Sequence, residues 1–245
     1  MHPLKTAVVS AALFASAPLA ALANDECHPA IDPTKTQYIV GYGSLMEKAS
    51  KERSTPNAGP NHPVIVEGYQ REWNTKGDDY GFSTTYLGVT ISPGTKMNAA
   101  VYINPDAADI ETTDDREEYY CRDAVPTDAI TLLDGTELLS DHQIWIYYNK
   151  PDSRVPPSPR WPIVQSYVDI FLNGCIELEA KVVATDGNAS FSRQCILTTD
   201  KWSPHWVNDR IYPRRPFIYR KSAGSIDKLI YGTLPESITN GIKIE

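Results

Sequence analysis

Along the first half of the chain, short apolar runs rich in β-branched and aromatic residues alternate with polar stretches that carry glycine and proline. Tyr38-Ile39-Val40 is the first such run, Pro63–Asn74 the second, and Phe82–Ile91 and Met97–Ile103 follow, divided by Pro93-Gly94. Runs of this length, bounded by turn residues, predict strands. Their hairpin-length spacing predicts a meander able to curl into a barrel. Gly68-Tyr69 predicts a bulge, with Arg71 and Trp73 on one face by strand alternation. Asp78 and Gly81 mark a turn.

Helical periodicity appears twice. Asp106–Glu118 predicts a short helix, with Asn104 as cap, Pro105 in the first turn and an end near Tyr119. Ile163–Val183 is the clearer case, because Val164, Tyr167, Val168, Phe171, Cys175 and Leu178 form one apolar stripe, read as core. Between the two, Gln143–Asn149 alternates as a strand should. Pro151–Pro162 is a proline-rich surface loop, and Leu229–Leu234 predicts one further strand. Strands and helices in this order predict an α+β fold, a curled mixed β-sheet or barrel with packed helices.

The first residues belong to a different pattern. Lys5 precedes a small-residue apolar run that ends Ala21-Leu22-Ala23, so residues 1–23 read as a secretory signal peptide and 24–245 as a single domain. No later segment is long enough to span a bilayer, so the mature product is expected to be exported, periplasmic or secreted, without a membrane anchor. The full chain carries 23 Lys and Arg against 31 Asp and Glu, and the leader contains only one of those bases. That acidic balance argues against a nucleic-acid partner. The four cysteines, Cys27, Cys121, Cys175 and Cys195, are too far apart for a zinc knuckle or a redox pair. In an oxidising compartment they suggest two disulfides with three possible pairings, of which Cys175 with Cys195 closes the shortest loop. Alternatively, Cys175 is a small buried hydrophobe. The histidines show no ligand spacing, and Asn188-Ala189-Ser190 is a formal glycosylation triplet.

Two stretches carry candidate chemistry. The first strand ends in Gly41-Tyr42-Gly43-Ser44, a turn whose backbone N–H groups can face an anionic ligand, although a plain tight turn explains it too. In Thr112–Val125, seven charged residues crowd around Tyr119 and Tyr120. Helical spacing puts Asp114 and Glu117 on one face and turns Arg116 and Glu118 elsewhere. A solvated helix end accounts for the charges, but the aromatic residues that follow imply that the last turn enters the core. A carboxyl desolvated there rises in pKa towards use as a general base and acid.

Taken in order, Tyr42-Gly43-Ser44-Leu45, Gly68–Asn74, Thr84–Val89, Asn98–Tyr102 and Asp114–Arg122 resemble the gamma-glutamylcyclotransferase-like family over about Gln37–Val125. The resemblance implies that family's fold, with Tyr42, Gly43, Ser44 and Leu45 holding a gamma-glutamyl group and Glu117 as acid/base. Leu45 stands where some members carry Asn, and Glu118-Tyr119 replaces a frequent glycine-containing segment. The implied reaction closes the substrate's own α-amine onto its γ-carbonyl, giving 5-oxoproline and a free amine from a gamma-glutamyl amine, a gamma-glutamyl peptide or glutathione. Positioning and one proton shuttle suffice, so no metal or cofactor is expected. Backbone N–H groups of Gly43–Leu45 would hold the α-carboxylate or the developing oxyanion. The alternative is an exported, non-catalytic module that binds an amino-acid-like ligand in the same pocket. Trp202–Pro216, with its two tryptophans, His205, Arg210, Arg214 and Arg215, is a pocket rim or a set of surface ion pairs. Oligomeric state is left open by the sequence.

Overall fold

The computed structural model describes residues 27–78, 83–183, 189–215 and 222–245. The expected leader, Gly81, Phe82, Asn188 and Pro216 lie outside them. In chain order the elements are β1 (Thr36–Gly41), a 3₁₀ turn over Ser44–Met46, α1 (Lys48–Glu52), β2 (His62–Gly77), β3 (Thr84–Asn104), α2 (Ala107–Arg116), β4 (Tyr120–Ala124), β5 (Ile130–Leu132) and β6 (His142–Asn149). Then come β7 (Ile163–Val164), α3 (Gln165–Glu179), α4 (Phe191–Leu197), β8 (Thr199–Asp200), β9 (Trp206–Asn208), α5 (Ala223–Thr233), α6 (Glu236–Thr239) and β10 (Ile242–Ile244). The fold is α+β, as expected.

The described strands form one mixed sheet in the order β10-β9-β7-β3-β1-β6-β4, with β2 paired to β3, β5 and β8. It is not a simple meander, since β1 runs antiparallel to β3 but parallel to β6. Burial of β1 on both faces explains its unbroken apolar run. Tyr38 and Val40 point into the larger core cluster, and Ile39 points the other way, among Leu45, Tyr102, Ile110, Tyr120, Trp145 and Tyr147. The loop that follows β1 is therefore launched from the middle of the sheet.

Four expectations are corrected. Pro93-Gly94 does not divide two strands: β3 is continuous, and Ser92–Thr95 bulge out opposite Gly68 before pairing with β2 resumes. Gly68 and Gly94 both have φ of +86°, which glycine alone adopts cheaply, so the paired distortion bends the hairpin without breaking it. The first helix is shorter than expected, Ala107–Arg116, and is capped by Asp106, whose side chain accepts from Ala108 N; Asn104 is the last residue of β3. The long helix begins two residues late, because Ile163 and Val164 extend the sheet between β3 and β9. The expected strand Leu229–Leu234 is instead the end of α5, with Leu234 as its C-cap. Its apolar residues continue a 3.6-residue period that starts at buried Ile226 and passes through buried Ile230.

One disulfide joins two helices and the other ties an arm to the sheet. Cys175 of α3 bonds Cys195 of α4, the short pairing, and Cys27 bonds Cys121 of β4, so the arm before β1 is tied to the strand after α2. No helix among the described residues is long and apolar enough to cross a membrane.

Candidate active site

Where β1 ends, the chain turns through Tyr42–Leu45 under a cleft of about 640 Å³. The wide part is lined by Ser44, Arg53, Tyr86, Arg116, Glu117, Tyr120, Tyr167 and Arg215, among others. Behind it lies a narrow recess of about 20 Å³, and Tyr42, Gly43, Ser44, Leu45 and Glu117 all line it, together with Leu87, Tyr120, Tyr147 and Tyr167. All five residues singled out in the sequence thus border one space. One half of the site continues directly from β1, and Glu117 comes from the segment between α2 and β4.

Glu117 reaches that space by a route its helical spacing does not anticipate. It is the C-cap of α2, with φ −95° and ψ 37°, so the side chain leaves the helical face pattern. Arg116, expected to point elsewhere, lies with its Nε 3.2 Å from Glu117 Oε1, both side chains being largely buried. The same guanidinium donates to Ser54 Oγ at 2.5 Å, Ser50 O at 3.2 Å and Ser44 Oγ at 3.3 Å. Arg116 therefore ties the loop, α1 and the carboxyl into one network. Asp114 is corrected in the opposite sense: it shares no face with Glu117, because its carboxylate accepts from Arg122 Nε at 3.0 Å and Tyr147 Oη at 2.6 Å.

Burial pushes the Glu117 carboxyl above its usual range, and the charges of Arg116 and Arg215 offset only part of that rise. Tyr167, from the first turn of α3, faces the same recess. Burial and the Glu117 charge push its phenol well above the usual range, while Arg215 and a hydrogen bond from the Ser44 backbone N–H pull the other way. Tyr120 Oη donates to Leu87 O at 2.7 Å, which fixes its ring across the recess.

Gly43 is required by this crowding. A Cβ built there would stand 2.8 Å from Tyr167 Oη, closer than a side chain tolerates. Loop and helix approach each other because position 43 has no side chain. The turn is also held from below, since Met46 N donates to Gly43 O at 3.0 Å and Arg71 Nη1 donates to Tyr42 O at 3.3 Å.

The Trp202–Pro216 segment divides between its two expected roles. Arg210 pairs with Asp169 and Asp227, and Arg214 with Glu245, whereas Arg215 lines the cleft with its guanidinium over the Tyr86 ring. The tryptophans belong to the interior: Trp202 stacks on Trp206 and packs against Trp73. Asp209 sets the segment's course. Its buried carboxylate accepts from Ser166 N, Ser166 Oγ and Arg214 N at 2.6–2.7 Å, so it caps α3 and orients the residues leading to Arg215.

Sequence reasoning missed Tyr86, Tyr120 and Tyr167 as site residues. Tyr167 sat in a core stripe, and the only hint of a second role was a polar atom on a position otherwise apolar. Among the described residues no group of three or more His, Cys, Asp or Glu is placed to hold a metal ion.

No protein-family model matches the chain, and no curated protein matches it. Solved structures do. An uncharacterised human protein is 16% identical over 64% of this chain and 93% of its own, with a TM-score of 0.46. A gamma-glutamyl cyclotransferase is 15% identical over 64% of this chain and 93% of its own, also at 0.46. A yeast gamma-glutamyl cyclotransferase specific to glutathione is 12% identical over 67% of this chain and 95% of its own, at 0.43.

Proposed function

We propose that the protein cleaves a gamma-glutamyl amine or peptide by ring closure, releasing 5-oxoproline and the free amine. The observation that carries this is the recess in which the Tyr42–Leu45 loop meets a buried carboxyl, Glu117, of raised pKa. The order of sequence motifs that resembles the gamma-glutamylcyclotransferase-like family supports it independently.

In the proposed reaction the substrate's α-amine nitrogen attacks its γ-carbonyl carbon. Glu117 accepts a proton from that amine, and the C–N bond to the leaving amine then breaks as Glu117 returns a proton to its nitrogen. Holding amine and carbonyl in contact supplies most of the acceleration. The Gly43 and Leu45 N–H groups hold the α-carboxylate or the oxyanion. Tyr167 adds its hydroxyl, which accepts from Ser44 N–H and is thereby free to turn its own proton to the ligand. The wide cleft, with Arg53 and Arg215 on its wall, receives the leaving amine. Export belongs to the same proposal, supported by the leader and by two disulfides, which persist in oxidising compartments.

The test is 5-oxoproline release, read by mass spectrometry, from gamma-glutamyl dipeptides, glutathione and gamma-glutamyl amines. Wild type is expected to release it from at least one of them, and folded Glu117→Gln to lose about 100- to 10,000-fold in kcat. Because the base must be ionised, activity should fall on acidification through a midpoint above the ordinary glutamate value of 4.5. A folded, oxidised wild type that releases nothing would turn the assignment to a binding module for an amino-acid-like ligand.

A further inference from the structure

Arg71 is completely buried, yet every acceptor it meets is neutral. Nε donates to Thr199 Oγ1 at 2.7 Å; Nη1 to Asn98 O at 2.8 Å and Tyr42 O at 3.3 Å; Nη2 to Cys195 O and Thr198 Oγ1 at 2.8 Å and to Asn98 Oδ1 at 3.0 Å. The Phe171 ring closes one face, 4.7 Å from the guanidinium carbon. Buried guanidinium groups are ordinarily matched by a carboxylate, because desolvating an unmatched charge costs several kcal/mol. Here the cage satisfies the N–H groups and leaves the charge uncancelled.

The position of that charge is informative. Arg71 lines neither the cleft nor the recess, so it lies behind the Tyr42–Leu45 loop, on the core side. Its contact with the loop is the Tyr42 carbonyl. No peptide bond among the described residues is cis, so the N–H of the same peptide unit, that of Gly43, points away from Arg71. A cation at the carbonyl end polarises the unit and strengthens the donor at the other end, an effect that grows in a low-dielectric interior.

We infer that Arg71 is the positioning residue of an anion site on this loop, its buried charge making the Gly43 N–H a selective donor for a carboxylate. This rests on the proposed use of the loop, but binding can be measured without turnover. The ligand is the α-carboxylate of a glutamyl group, and the neutral amide in its place should be discriminated against.

The experiment compares L-glutamate with L-isoglutamine, in which a carboxamide replaces the α-carboxylate, by calorimetry at constant pH and salt. Wild type should prefer glutamate. Arg71→Met should lose about 10- to 100-fold of that preference. Thr199→Val, which removes an acceptor from the cage and keeps the charge, should hold it within about 3-fold, although it also destabilises. A loss in Arg71→Met through general loosening would instead appear in both variants and fall equally on both ligands. If circular dichroism shows Arg71→Met unfolded, Arg71→Lys decides, since it keeps a buried charge behind the loop and should keep most of the preference. A folded Arg71→Met with wild-type preference, an Arg71→Lys with none, or a wild type indifferent to the carboxylate would overturn the inference. Wild-type preference without any 5-oxoproline release would sink the proposed reaction and leave the anion site standing.

Discussion

At position 117 the proposed function and stability pull in opposite directions. An acid whose pKa is raised on folding binds more protons folded than unfolded in the window between its two values, so stability falls as pH rises through that window. The ionised Glu117 of the folded protein is therefore a liability above pH 4.5, which its proposed role as the base would explain. Glu117→Gln, which cannot ionise, should melt at a higher temperature than wild type at neutral pH, with the gap closing below pH 4.5 in a calorimetric pH series. Position 43 is constrained by space. Gly43→Ala drives a methyl against Tyr167 Oη and should cost about 1–3 kcal/mol in urea unfolding. Tyr167→Phe in the same background removes the struck atom, so the double variant should recover much of that loss.

Among the elements, those whose signal is local are legible in the sequence. The Tyr38–Val40 run, the Gly68 bulge and the α3 stripe are each read from a few adjacent residues, and so is the turn that puts Tyr42–Leu45 at the end of β1. Long-range competition decides the rest. Ile163 and Val164 fit a helical pattern, but the neighbouring strands β3 and β9 take them into the sheet. Arg116 is legible as a charge and not as Glu117's neighbour, because that contact depends on the chain leaving helical geometry one residue later. Arg215 is placed by Asp209, fixed in turn by the start of α3. Asp209→Ala strips those donors of their shared acceptor. It should cost about 1–3 kcal/mol by chemical denaturation and raise KM for substrates whose leaving amine carries a carboxylate.

For the whole molecule, the Cys27–Cys121 bond is the far-reaching constraint. It joins residues 94 apart and sits one residue beyond Tyr120, which borders the recess. Closing a loop of that size restricts the unfolded chain, so Cys27→Ser with Cys121→Ser should lower stability by about 3–5 kcal/mol, measured as a shift in urea midpoint. The bond also makes residues 27–121 a covalent ring that contains Tyr42–Leu45, Arg71 and Glu117, with Tyr167 and Arg215 outside. A protease that nicks the exposed Ser92–Thr95 excursion would open the backbone without parting the fragments, and they would separate on a gel only after reduction.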